Sequence, residues 1–193
     1  MQNKFSYRSE QEEIMDDLEA GGPLMDQTLK ELETINKWLG GNAVTIDGVK
    51  KLLKAAPTDK KIRIVDLGCG GGEMLRLIAD WATQQAIEVE LMGIDANPHV
   101  IAFAEKQSKA YDQICYLSIN ILSEEFKVVT GDVFISTLFM HHFPDDTLIA
   151  FLKQLKKQAS IGIVINDIHR HWLAYYSIKW LTYLFSKSMM VKN

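Results

Sequence analysis

Two aspartates and a spaced set of glycines are the first residues able to do chemistry. In VDLGCGGGE, residues 65–73, Asp66 stands just ahead of Gly68, Gly70 and Gly72, which recur at every second position. Glycines so placed allow a tight turn and let a ligand lie against bare backbone at the start of a helix. Several nucleotide sites share such a loop, so the neighbours have to choose among them. The dinucleotide pattern G-x-G-x-x-G fails, because its third glycine falls on Glu73, and no G-x-x-x-x-G-K-[ST] occurs. A carboxylate at Asp66 is a poor neighbour for pyrophosphate and a good one for a cationic amino group. Asp95, in GIDANP, can accept from two ribose hydroxyls with its two oxygens. A ligand with an ammonium, a sulfonium and a ribose matches this set.

The second group is a cluster of histidines. His141, His142, His169 and His171 lie with Asp167 and Arg170 after two later apolar runs, and only His99 falls elsewhere. Imidazole titrates near neutrality and can take a proton from a phenol or an enol-like carbon acid. His142 and His169 are the candidate bases, and Arg170 is the candidate anchor for an acidic or enolate-like acceptor. The bland alternative is that these side chains support the loop or cap a helix. Cys69 reads as a small packing residue within the glycine loop. With Cys115 it makes two cysteines without metal-ligand spacing, so no metal site is expected.

The elements that must position these residues alternate. KIRIVDL, EVELMGID, QICYLSI, DVFISTLF and IGIVINDI read as strands. GEMLRLIADWATQQ, NPHVIAFAEKQSKA, PDDTLIAFLKQLKKQA and RHWLAYYSIKWLTYLFSK read as helices. Such alternation predicts a Rossmann-like, doubly wound, mostly parallel α/β sheet, with ligands at the carboxyl ends of the strands. Before the first strand the texture is helical. SEQEEIMDDLEA, LMDQTLKELETINKWLG and TIDGVKKLLKAA predict a cap or lid over 1–57, ahead of a cofactor-binding domain over 58–193.

At this point VDLGCGGGE followed by GIDANP resembles the first two motifs of class I S-adenosylmethionine-dependent methyltransferases. SINIL resembles that family's adenine segment, and DVFISTLFMHHFPDD its fourth-strand segment. The resemblance implies S-adenosylmethionine as cofactor and S-adenosylhomocysteine (SAH) as product. It implies that Asp66 holds the methionine amino group, and that Gly68, Cys69, Gly70 and Gly72 pass the methionyl and ribose parts. Asp95 would accept from the ribose, Ala96 would flank the adenine, and Asn120 and the Ile121 N–H would read its edge. Thr137 completes the implied cofactor set. Asn120 departs from the aspartate common in the family, but its side-chain oxygen still accepts. NDIHRHWLAYY and ETINKWLGG resemble the small-molecule branch related to the ubiquinone and menaquinone methyltransferases. That branch implies O- or C-methylation of a small, lipophilic or polyketide-like acceptor. The N-P-P-Y/F tetrapeptide of amino methylation is absent.

Bulk properties set the outer bounds. The 193 residues carry a formal net charge of −4 with 47% hydrophobic residues, which suits one globular unit and not a basic nucleic-acid binder. No signal peptide is visible, and the apolar run at 171–185, interrupted by Lys179, is too short to span a bilayer. A soluble cytoplasmic protein is expected. Run 171–185 would still need cover from a homodimer partner, a membrane surface, a greasy substrate or a further hairpin. The family's closing antiparallel hairpin is expected to be absent or truncated here. Two other functions fit parts of the pattern: a non-catalytic binding protein of this fold, and a nicotinamide-dependent oxidoreductase. The position of Asp66 and the failed third glycine speak against the second.

Overall fold

The computed structural model describes residues 18, 20–54 and 60–167. Five parallel strands form its sheet in the order β3-β2-β1-β4-β5. They are β1 (Ile62–Leu67), β2 (Val89–Asp95), β3 (Ile114–Ser118), β4 (Gly131–Thr137) and β5 (Ala159–Asn166), at the five runs expected. In β1, Ile62, Ile64, Val65 and Leu67 are all buried, as a strand covered on both faces requires. Asp66 is buried with them. β1 pairs with β2 from Ile62–Val89 to Leu67–Ile94, and with β4 from Ile64–Val133 to Asp66–Ile135. The chain leaves β1 toward β2 on one side and returns to β4 on the other. Sheets of this kind bind ligands beside such a reversal, at the carboxyl ends, where Asp66 sits.

The helices are α1 (Pro23–Leu39), α2 (Gly41–Leu53), α3 (Glu73–Gln84), α4 (Pro98–Gln107) and α5 (Asp145–Gln158). On one face of the sheet, Val49 of α2 and Leu75 and Ile78 of α3 pack with Ile64, Leu91 and Ile135. On the other, Phe151 and Leu155 of α5, with Phe126 from a short 3-10 turn, pack on Val65, Leu67 and Phe134. Each such side chain contributes about 1.5–3 kcal/mol of transfer free energy. These two cores hold the strand ends rigid beneath the site.

The N-terminal part differs from a simple cap. Gly40, at φ 72°, ends α1 and turns the chain straight into α2, which therefore starts at Gly41 instead of Thr45. α2 is fastened to the sheet. A Cβ on Gly48 would lie 2.6 Å from Val164 Cγ1, and Asn166 Nδ2 donates to the Gly41 carbonyl at 2.8 Å. α1 instead packs on α4 near the carboxyl edge, through Met25 and Leu29 against Val100 and Phe103. Most of the helix expected within 9–20, the helix expected beyond Asp167 with run 171–185, and the place of the hairpin expected to be absent or truncated lie outside the described residues. Among the described residues no helix is long and apolar enough to cross a membrane.

Candidate active site

The glycine loop joins β1 to α3, and its glycines do different work. Gly68, Gly70 and Gly72 have φ of 66°, 49° and 74°, in the left-handed region where a side chain is strained. The Gly68 and Cys69 N–H groups both donate to the Ile94 carbonyl, at 2.9 and 3.0 Å, which folds the loop back over the end of β2. A Cβ on Gly68 would meet the Phe139 ring at 2.3 Å, and one on Gly72 the Tyr116 hydroxyl at 2.0 Å. At Gly70 a Cβ would meet nothing within 4 Å, so the bare backbone there faces open space. Cys69 is buried, and burial above all, then Asp66 and Asp95, push its thiol well up. A thiol held protonated is no nucleophile, which keeps Cys69 in a packing role.

Asp66 is 2% exposed and has no hydrogen-bond or ion-pair partner among the described residues. Burial first, and the neighbouring Asp95 charge second, push its carboxyl up to about 8. Asp95 is better supplied. Its Oδ1 accepts from the Asn97 N–H at 3.0 Å and its Oδ2 from the Gly70 N–H at 3.3 Å. Burial still raises its pKa against those N–H groups. Beyond the Asn97, Gly70 and Ala96 N–H groups, the Asp95 carboxylate keeps acceptor capacity to spare. Entry into α4 is managed by Asn97, whose Oδ1 accepts from the His99 and Val100 N–H groups at 2.8 and 3.3 Å. Asp95 is thus not consumed as a cap. A buried carboxyl lacking a cation, an open glycine and a second acid with spare lone pairs fit a ligand carrying an ammonium and a ribose.

The other expected cofactor residues are placed less uniformly. Ala96 links Asp95 to the Asn97 cap. Asn120 is exposed, and its Oδ1 accepts from the Leu122 N–H at 2.9 Å, closing an Asx turn. Ile121 is buried, and its N–H has no acceptor among the described residues. The Thr137 hydroxyl pairs with that of Thr45 at 2.8 Å, tying β4 to α2.

Beyond β4 the chain turns through Leu138, a non-glycine residue at φ 54° whose N–H donates to the Asn166 carbonyl at 2.8 Å. A 3-10 turn over Met140–His142 follows. It places His141, not His142, on Asp167. The Asp167 Oδ2 accepts from the His141 N–H at 2.8 Å, and Oδ1 lies 2.7 Å from His141 Nδ1. The His142 ring stacks 4.2 Å from that of His141 and 6.1 Å from that of Phe139. Register explains the pair: Thr137 faces Asn166, so Asp167 follows β5 just where the turn after β4 folds back. Sequence spacing does not separate two adjacent histidines, and the Thr137–Asn166 register is the signal that would. His169, Arg170 and His171 lie outside the described residues.

A bare glycine turn set between acids at the ends of adjacent parallel strands is the arrangement a nucleotide cofactor would need, and it stands on a Rossmann-like α/β fold. The chain belongs to the methyltransferase-domain family, whose model matches residues 64–160. The fold is also that of solved methyltransferases. The plantazolicin methyltransferase BpumL, in complex with SAH, superposes with TM-score 0.58 at 24% identity over 87% of this chain and 60% of its own. The protein mmp1179 of Methanococcus maripaludis, assigned to the S-adenosyl-L-methionine-dependent methyltransferases, gives 0.55 at 14% identity over 87% and 75%. The magnesium protoporphyrin IX methyltransferase ChlM of Synechocystis PCC 6803, with bound SAM, gives 0.50 at 17% over 66% and 58%. The chain therefore spans less than two thirds of the length of BpumL and of ChlM. No curated protein matches it. The class I methyltransferase fold expected from the glycine loop and GIDANP is the one the chain has.

Proposed function

We propose that the protein is an S-adenosylmethionine-dependent methyltransferase that methylates an oxygen or carbon of a small molecule. The carrying observation is Asp66: a carboxyl shut away from water, without a partner, beside the open Gly70 backbone. Asp66 would hold the amino group, Asp95 the ribose hydroxyls, and the Ile121 N–H with Asn120 the adenine edge. S-adenosylmethionine supplies a methyl group on a cationic sulfur, ready for in-line displacement. The chain's own task is then alignment and, for an acceptor that must lose a proton, a base.

His141 is built for that second task. With its ring Nδ1–H donating to Asp167, the imidazole is oriented in the tautomer whose basic nitrogen is Nε2. The Phe139 ring on Gly68 carries the 140–142 turn to the glycine loop, so base and cofactor share one crevice. His142, one of the two bases expected from sequence, then serves as wall. A small acceptor is supported by the company the fold keeps, since BpumL acts on plantazolicin and ChlM on magnesium protoporphyrin IX. Calorimetric titration with SAH and with NADH tests the cofactor. SAH should bind and NADH should not, and Asp95→Ala should weaken SAH by roughly 1.5–3 kcal/mol through the lost charge-assisted contacts. Equal binding of SAH by Asp95→Ala and wild type would remove Asp95 from the site.

A further inference from the structure

Arg76, on α3, holds the glycine loop with one nitrogen and α1 with the other. Its Nη1 donates to the Gly71 carbonyl at 2.7 Å, and its Nη2 lies 3.2 Å from both Glu33 oxygens. Nη1 also reaches Ser108 Oγ at 3.4 Å, and that hydroxyl pairs with Tyr116, whose ring bears on Gly72. α1 touches the loop directly as well: a Cβ on Gly71 would meet Leu29 Cβ at 3.9 Å. The segment leading into α1 is tied to the second acid. Asn97 Nδ2 donates to the Ala20 carbonyl at 2.9 Å, while the Asn97 N–H donates to Asp95. Residues 20–33 thus connect both loops that carry the cofactor acids.

The apolar hold on α1 is small, a cluster of Met25, Leu29, Val100 and Phe103 with Ala20. Electrostatics add to it. Glu73 lies near Glu33 with its carboxyl raised, by burial first and by Glu33 in part, while a hydrogen bond from Asn42 and the charges of Arg76 and Lys37 pull it down. Arg76 therefore pairs with one acid, Glu33, and acts with Lys37 on a second, Glu73, and its side chain is only 13% exposed. Without Glu33 the guanidinium keeps its Gly71 and Ser108 contacts but loses its tie to α1.

We propose that α1 is a lid coupled to the cofactor loop through Glu33, Arg76 and the Gly71 carbonyl, with Arg76 as the positioning residue. The proposal rests on the cofactor assignment above and adds regulation to it. Docking of α1 and cofactor binding must favour each other by the same factor. A pair that merely braced the fold would shift stability and leave the cofactor indifferent.

The experiment measures SAH affinity by calorimetry and amide hydrogen exchange over residues 23–39, with and without SAH. Wild type, Glu33→Gln, Glu33→Asp and Arg76→Lys are compared. SAH should slow exchange in α1 of wild type. Glu33→Gln and Arg76→Lys should weaken SAH about tenfold and lose that protection, and Glu33→Asp should recover part of both. Should Arg76→Lys fail to fold, Glu33→Gln decides by itself. SAH binding to wild type without change in α1 exchange overturns the lid, as does Glu33→Gln binding SAH like wild type. A wild type that binds no SAH overturns the cofactor assignment, and the lid with it.

Discussion

Two acids at opposite edges of the same sheet have opposite fates. At the amino edge, Asp132 accepts from Lys60 Nζ at 2.8 Å, from the Arg63 N–H at 3.0 Å and from Ser160. Burial pushes that carboxyl up, but those three partners win and hold it at about 2. At the carboxyl edge, Asp66 has burial and no partner, and stands at about 8. The first acid is a finished structural joint. The second is a buried carboxyl with no cation beside it among the described residues, the residue proposed above to receive the amino group of the cofactor. The proposed binding carboxylate and the structural one are told apart here by their partners, Asp66 being buried and Asp132 partly buried.

The largest effect expected from breaking this contrast is at Asp66. In the folded protein its proton is kept to about pH 8, whereas the unfolded chain gives it up near 3.9. Between those values the unfolded state binds fewer protons, so Asp66 makes stability fall as pH rises from about 4 to about 8. Asp66→Asn removes that fall. Without cofactor it should be more stable than wild type by on the order of 2–5 kcal/mol at pH 8, and by almost nothing at pH 4. Its SAH affinity should drop by about 2 kcal/mol or more. Urea denaturation at both pH values, with SAH titration, gives both numbers. A variant that is less stable at pH 8, or that keeps its SAH affinity, contradicts the idea of an acid awaiting a cation.

Asp132 should give the smaller, mirrored result. Its lowered pKa contributes stability that is complete above about pH 4 and is lost as pH falls through about 2. Asp132→Asn should cost about 1–2 kcal/mol at pH 7, little near pH 2, and nothing in SAH affinity. Loss of SAH binding here would mean that the two edges are not functionally separate.

What could be read from the sequence follows the same division. The five strands were legible because burial on both faces leaves short apolar, β-branched runs. The glycine turn between Asp66 and Asp95 was legible because three positions with positive φ leave glycines in a fixed pattern. Contacts made only in three dimensions left no such mark. Arg76 reads as an ordinary charge on an amphipathic helix, and only the structure shows it between Glu33 and the Gly71 carbonyl. His141 and His142 look alike until the pairing of β4 with β5 brings Asp167 to one of them. The start of α2 was misplaced because Gly40 serves two helices at once.

Asn120 lies between the two kinds of residue and gives the finest test. Its side-chain oxygen is already engaged by the Leu122 N–H, as a structural residue's would be, yet it stands beside Ile121, where the adenine edge is proposed to lie. The amide oxygen has a second lone pair for an exocyclic amine. Asn120→Ala removes the Asx turn and the acceptor together, and should cost about 0.5–1 kcal/mol in stability and a similar amount in SAH affinity. Asn120→Asp keeps the turn and offers a charged acceptor, so it should match wild type in stability and bind SAH a few-fold tighter, about 0.5–1 kcal/mol. Thermal melts and SAH titrations of both variants separate the roles. If Asn120→Ala loses stability while neither variant changes SAH affinity, Asn120 joins Asp132 as a joint, and the adenine edge is left to the Ile121 N–H.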